Sequence, residues 1–100
     1  MRIADLCPGP QKVTVEGTIT FISPPKSYIR FGKRGRVCRA TLKDESGEVV
    51  LVLWNEEIPL VRQGQRLSVV DGQAREYEGR LELSKGRFGK LLPASQGQKS

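Results

Sequence analysis

From Lys12 to Ile22 the chain alternates, with Val13, Val15, Ile19 and Phe21 on one parity and Thr14, Glu16, Thr18 and Thr20 on the other. A period of two belongs to a strand with one face on a core, so this stretch is predicted as a long β-strand with Phe21 among its inward residues. Gly17 falls on the apolar side, where a sharply bent strand needs a missing side chain. A bend there lets one strand serve both halves of a small barrel. A second alternation runs from about Arg36 to Lys43, with Cys38, Ala40 and Leu42 inward and Val37, Arg39, Thr41 and Lys43 outward. Asp44-Glu45-Ser46-Gly47 reads as a tight turn, its glycine left-handed, leading antiparallel into a third strand that ends at Trp54.

In that third strand Val49, Leu51 and Leu53 point inward, which leaves Val50, Val52 and the only tryptophan on the face that should be polar. A strand apolar on both sides is either covered by another layer or presents a surface to a partner. A chain of 100 residues without a long helix has little to cover it with. Trp54 is therefore expected on an outer surface shared with Val37, Arg39, Thr41, Val50 and Val52, the alternative being ordinary core at the strand's end.

Between the first two strands, Ser23-Pro24-Pro25 stops the ladder, because proline lacks the amide donor. The stretch to Gly35 sets Tyr28 and Phe31 among Lys26, Arg30, Lys33 and Arg34 and reads as a flexible loop. Rings among cations suit a nucleic-acid clamp, and they equally suit a long hairpin loop whose aromatics pack on the barrel. After Trp54, the segment Asn55 to Val61 predicts one helical turn capped by Asn55, with Ile58, Leu60 and Val61 plugging a barrel end. A fourth strand carries Leu67 and Val69 inward, bends at Gly72 and continues to Tyr77. Glu78-Gly79 is a two-residue hairpin turn, and Arg80 to Ser84 is a fifth strand with Leu81 and Leu83 inward.

Five strands with a short helical link between the third and fourth give an all-β chain in the order expected of an OB-fold, a five-stranded Greek-key barrel. An SH3-like barrel or a small β-sandwich competes, and the link favours the OB-fold. The domain is placed at 1–92, with 93–100 as a flexible tail.

Charge sharpens this picture. Residues 17–43 hold seven cations (Lys26, Arg30, Lys33, Arg34, Arg36, Arg39, Lys43) and no acid, whereas residues 44–78 hold eight acids against three arginines. From Gly79 onward, five cations face only Glu82. Segregation of this kind points to a basic side meant for a polyanion, the alternative being a solvated basic face without a ligand. No apolar run reaches transmembrane length and Met1 to Asp5 opens no signal-peptide pattern, which predicts a cytosolic or chromosome-associated protein, nuclear in a eukaryote, with no membrane contact. Cys7 and Cys38 are expected as two free thiols. With no histidine, and with Asp44-Glu45 and Glu56-Glu57 placed at a turn and a helix start, the chain is expected to be no enzyme and to hold no metal or cofactor. Gly86-Arg87-Phe88-Gly89-Lys90 lacks the spacing and following helix of a phosphate loop.

The chain resembles the single-OB-fold, replication-protein-A-like single-stranded DNA-binding proteins of archaea and the similar B subunit of the SOSS complex in animals. The resemblance runs from about Ile3 to Leu92 and rests on the order and spacing of several pieces. They are Ile3-x-Asp5-Leu6-x-Pro8-Gly9, the strand Val13 to Phe21, and Asp44-Glu45-Ser46-Gly47 before the strand ending in Trp54. Gly64-Gln65, Gly72, Gly79 and Lys85-Gly86-Arg87-x-Gly89 complete it. It implies base stacking on Trp54 and on Tyr77, while Gln73 and Ser84 stand where relatives can have tyrosine. Phe88, Tyr28 or Phe31 are the candidates to compensate. The long tail through which such proteins often recruit partners is missing, which points to a minimal member or a truncated chain.

The leading expectation is sequence-tolerant binding and protection of single-stranded DNA in replication, recombination or repair, with protein partners from those processes. Trp54 and Tyr77 stack on bases, Val52 adds apolar surface, and Arg36, Arg39, Lys43, Arg75, Arg80, Lys85 and Arg87 neutralise phosphates. The alternatives are an RNA-binding OB domain, since nothing in the chain reads a 2′-hydroxyl, and a protein-interaction subunit in which Val50, Val52 and Trp54 meet a partner chain.

Overall fold

A computed structural model describes residues 1–86 and 89–94. Seven strands follow one another: β1 (Val13–Ile22), β2 (Lys26–Arg30), β3 (Lys33–Asp44), β4 (Gly47–Trp54), β5 (Arg66–Tyr77), β6 (Arg80–Ser84) and β7 (Lys90–Pro93). Short 3-10 turns occupy Ile3–Asp5 and Asn55–Leu60. β1 pairs antiparallel with β5 through its first half and with β3 through its second, the handover falling at Thr18. β3 pairs with β4, β4 runs parallel to β6, β6 pairs with β5, and β5 returns to β1. Five strands thus close a ring, the OB-fold barrel that the element order predicts, and β2 and β7 attach outside it.

The bend in β1 has a steric cause. A Cβ on Gly17 would stand 2.6 Å from the Lys43 carbonyl oxygen, so only glycine lets β1 cross β3 this closely. Inside the ring Ile19, Leu42, Leu51, Leu53, Leu67 and Leu83, with Val15 and Val69, are fully buried. Each such side chain contributes about 1.5–3 kcal/mol relative to exposure. Ile3 and Leu6 join the core from the N-terminal turn, which the Asp44 carboxylate ties down by accepting the Ile3 N–H at 2.9 Å. Cys38 is buried and Cys7 exposed, both as free thiols; burial pushes the Cys38 thiol up from its ordinary value.

The structure corrects several expectations. Phe21 does not face the core: the register shifts between Ile19, opposite Leu42, and Phe21, opposite Thr41, so Thr20 forms a bulge and Phe21 flips outward. The expected flexible loop before Arg36 is a β-hairpin, β2 with the first residues of β3, turning at Phe31-Gly32 with φ of 54° and 75°. Gly47 is not left-handed. Asp44 opens the turn and Gly47 closes it, the arrangement a type I turn favours, with the Asp44 carboxylate accepting the N–H groups of Ser46 and Gly47. Asn55 does not cap the following turn, because Glu57 reaches back to accept the Trp54 N–H at 3.0 Å. Leu60 is exposed, so only Ile58 and Val61 close that end of the barrel. β7 is an element the sequence did not suggest; it pairs Pro93 with Leu67 on β5, and residues 95–100 of the expected tail lie outside the described residues.

Candidate nucleic-acid interface

β3, β4, β6 and the end of β5 present one continuous outer face. Register places Thr41, Val50, Glu82 and Arg75 side by side in one row and Arg39, Val52, Ser84 and Gln73 in the next. Beyond them Val37 pairs with Trp54 at one end of the face, and Tyr77 pairs with Arg80 at the other.

At the first end the β2–β3 hairpin leans against Trp54. The two rings meet edge to face, centroids 5.6 Å apart with planes at 90°. A favourable aromatic pair of this kind holds the indole without covering it, and Trp54 remains 38% exposed. Tyr28 takes this position because its cross-strand partner is Gly35: the phenol ring lies where a Cβ would be, so any other residue there would collide with it. Asn55, at φ 49°, turns its side chain back to accept the Arg36 backbone N–H at 3.0 Å, and its amide reaches the Tyr28 hydroxyl at 3.5 Å. Glu57 fixes the other side, accepting the Trp54 N–H with one oxygen and lying 3.9 Å from the Lys85 ammonium with the other. Two open depressions of about 340 and 330 Å3 share Asn55 and flank the Trp54–Tyr28 pair.

Across the middle of the face runs an ion pair that sequence reasoning missed. Arg39 Nε donates to Glu82 Oε2 at 2.9 Å, and the guanidinium carbon stands 5.7 Å from the centre of the Tyr77 ring. The Glu82 carboxylate raises the Arg39 pKa further above its ordinary value, first through this hydrogen bond. Since β4 lies between β3 and β6, the Arg39 side chain must cross it, and Val52 beneath is 5% exposed. Val52 is therefore floor rather than contact surface.

The other expected site residues divide by position. Arg36, Lys43, Arg75 and Arg80 are exposed and pair with no carboxylate among the described residues, and Arg75 comes only within 3.5 Å of the Gln73 side chain. Gln73 and Ser84 are half-buried cross-strand partners. Phe31 sits at the hairpin tip, 95% exposed, and lines the same open depression as Tyr28. Arg87 and Phe88 lie outside the described residues. Asn55, Glu57 and Glu82 were absent from the expected set. Glu82 alone carried a signal, as the single acid in an otherwise basic C-terminal stretch. Among the described residues no cluster of three or more metal-ligating side chains occurs, and no helix is long and apolar enough to cross a membrane.

The model of the OB-fold nucleic acid binding domain family matches residues 13–85 of this chain. The chain belongs to that family. A ten-residue match over 81–90 to the FMRFamide related peptide family covers too little of the OB domain to carry an argument. Among whole proteins, the OB domain is 22% identical over 95 residues to a single-stranded DNA binding protein of Saccharolobus solfataricus, covering 95% of the chain and 64% of that protein. It is 24% identical over 87 residues to replication factor A of Methanothermobacter thermautotrophicus, covering 82% of the chain and 11% of that protein. The chain thus spans less than two thirds of either relative. The solution structure of an OB domain from Thermoplasma acidophilum superposes with a TM-score of 0.83 at 18% identity, covering all of this chain and 91% of the other, which shows the shared fold.

Proposed function

We propose that this OB domain binds single-stranded DNA with little regard to sequence and protects it in replication, recombination or repair, acting without catalysis and alongside protein partners from those processes. The observation that carries the reading is the Trp54–Tyr28 pair, two rings set edge to face and half open on a surface flanked by cations. Base stacking on such rings is sequence-tolerant because every base has a π-face, and each stacked ring contributes about 1–3 kcal/mol. Trp54 and Tyr77 serve as platforms at the two ends of the face; Lys43, Arg75 and Arg80 supply positive charge on it, paired with no carboxylate among the described residues, and Arg36, on the opposite parity of β3, adds charge from the other side of the hairpin. The likeness to the single-stranded DNA binding protein of Saccharolobus solfataricus and to replication factor A of Methanothermobacter thermautotrophicus supports this reading.

RNA is the second reading, because base stacking and phosphate neutralisation serve either nucleic acid. Trp54, the only tryptophan, makes one experiment sufficient. Its fluorescence is titrated with oligo(dT), a matched RNA and a duplex at several salt concentrations. Oligo(dT) quenches it, added salt restores it, and duplex has little effect. Tighter quenching by the RNA transfers the reading to RNA, and no quenching by any single strand overturns it.

A further inference from the structure

The outer face holds one charge of the wrong sign for its proposed ligand. Glu82 is the charged side chain that the described residues bury most deeply, at 8% exposure, and it lies in register with Val50 and Arg75 at the centre of the surface. Burying a carboxylate is costly, and a pair of well-packed apolar residues would serve the sheet as well or better. What the carboxylate does, and an apolar residue cannot, is hold a guanidinium. Its Oε2 takes the Arg39 Nε at 2.9 Å, which anchors a long, rotamer-rich side chain with its guanidinium 5.7 Å from the Tyr77 ring centre. Tyr77 remains 49% exposed, as expected of a ring covered on one side.

We propose that Glu82 is a positioning residue of the nucleic-acid face: it clamps Arg39 onto one side of Tyr77, leaves the other side for a base, and withdraws Arg39 from phosphate binding. The proposal rests on the single-strand reading above. It splits the cations of the face into two kinds. Lys43, Arg75 and Arg80 have no carboxylate within salt-bridge distance among the described residues and count toward phosphate neutralisation. Arg39, whose charge Glu82 already balances, does not.

The test is Glu82→Gln, which keeps shape and removes charge. The salt dependence of oligo(dT) binding, read by Trp54 fluorescence, should steepen by about 0.7 in log K against log salt, the value of one more phosphate contact on a single strand. Binding should tighten about fivefold near ~0.1 M salt, which is that slope change expressed as affinity. A slope and affinity equal to or below those of the unmodified protein overturn the proposal, and loss of packing alone cannot produce a steeper slope. If Glu82→Gln does not fold, the pair Arg39→Gln with Glu82→Gln decides: an unchanged slope supports the clamp, and one shallower by about 0.7 shows that Arg39 was meeting a phosphate. A readout without nucleic acid separates this from the DNA reading. In the free protein the Arg39 side-chain protons carry a ring-current shift from Tyr77; a shift of normal size in the folded Glu82→Gln variant overturns the clamp, whatever the protein binds.

Discussion

Replacing Asp44 with alanine should cost the domain more than any other single change to a polar side chain in its turns. The carboxylate accepts four hydrogen bonds: from the Ser46 hydroxyl at 2.6 Å, the Ser46 N–H at 2.7 Å, the Gly47 N–H at 3.1 Å and the Ile3 N–H at 2.9 Å. Two consequences follow from losing them. The β3–β4 turn, which sets the register of the outer face, loses its internal tie. The N-terminal turn that delivers Ile3 and Leu6 to the core loses the group that anchors it, and Ser46, whose hydroxyl accepts the Ala4 N–H at 3.0 Å, loses its orientation. A hydrogen bond to a charged group contributes about 1.5–3 kcal/mol, and because these four are coupled and partly solvated the loss is taken near ~3 kcal/mol in all. For a domain of this size that lowers Tm by about 12 °C.

The same residue sets a pH dependence. The hydrogen bonds, that of the Ser46 hydroxyl first, lower the Asp44 carboxyl from 3.8 to about 2. A carboxyl whose folded value is depressed adds stability that is complete above the unfolded value and disappears as pH falls through the folded one. The unmodified domain should therefore lose stability between about pH 4 and pH 2 more steeply than Asp44→Ala does. Thermal melts of both proteins across that range measure the effect. A Tm drop of less than about 3 °C at neutral pH, or parallel losses in acid, would mean that Asp44 does not hold the turn together.

Gly35→Ala should weaken oligo(dT) binding by roughly fivefold, on the order of 1 kcal/mol of stacking, while changing Tm little, because the new Cβ displaces the half-exposed Tyr28 ring from Trp54 and not a core residue; unchanged binding would remove Tyr28 from the site. Glu78→Asn should stabilise the domain by about 0.5–1 kcal/mol in a urea titration, since Glu78 holds φ 50° ahead of Gly79 at φ 80° and Asn-Gly is the preferred pair for such a turn. A midpoint at or below that of the unmodified chain would contradict it.

The parts of this fold that were legible are those in which one physical demand dominates. Cys38 to Leu42 and Val49 to Leu53 alternate because each strand buries one face, and Gly17 stands on the buried parity because two backbones cross there. The β2–β3 hairpin is not legible in the sequence because both faces of β2 meet solvent, so burial imposes no alternation on Lys26 to Arg30. Phe21 departs from the alternation because a single bulged residue inverts every side chain after it in β1 and leaves no mark in a polar-apolar pattern. β7 is four residues long and ends in a proline, too short for a period to register. Within the site, Trp54 was visible because an apolar residue on a face that should be polar is an anomaly in the sequence itself. Glu82 looked like any outward acid of a half-buried strand, and its meaning depends on Arg39, 43 positions away in the chain.

An unpaired strand bound to this domain is expected to lie on the outer face of β3 and β4, with Trp54 and Tyr28 at its end. Amide and indole chemical-shift mapping of the labelled domain with oligo(dT) tests it most directly. The largest changes should fall on Tyr28, Arg36, Val37, Arg39 and the Trp54 indole, with Tyr77 and Arg80 following and the β5–β7 pairing at Leu67 to Val70 unmoved. Shifts concentrated on β7 and the first half of β1, with the Trp54 indole unchanged, would contradict it.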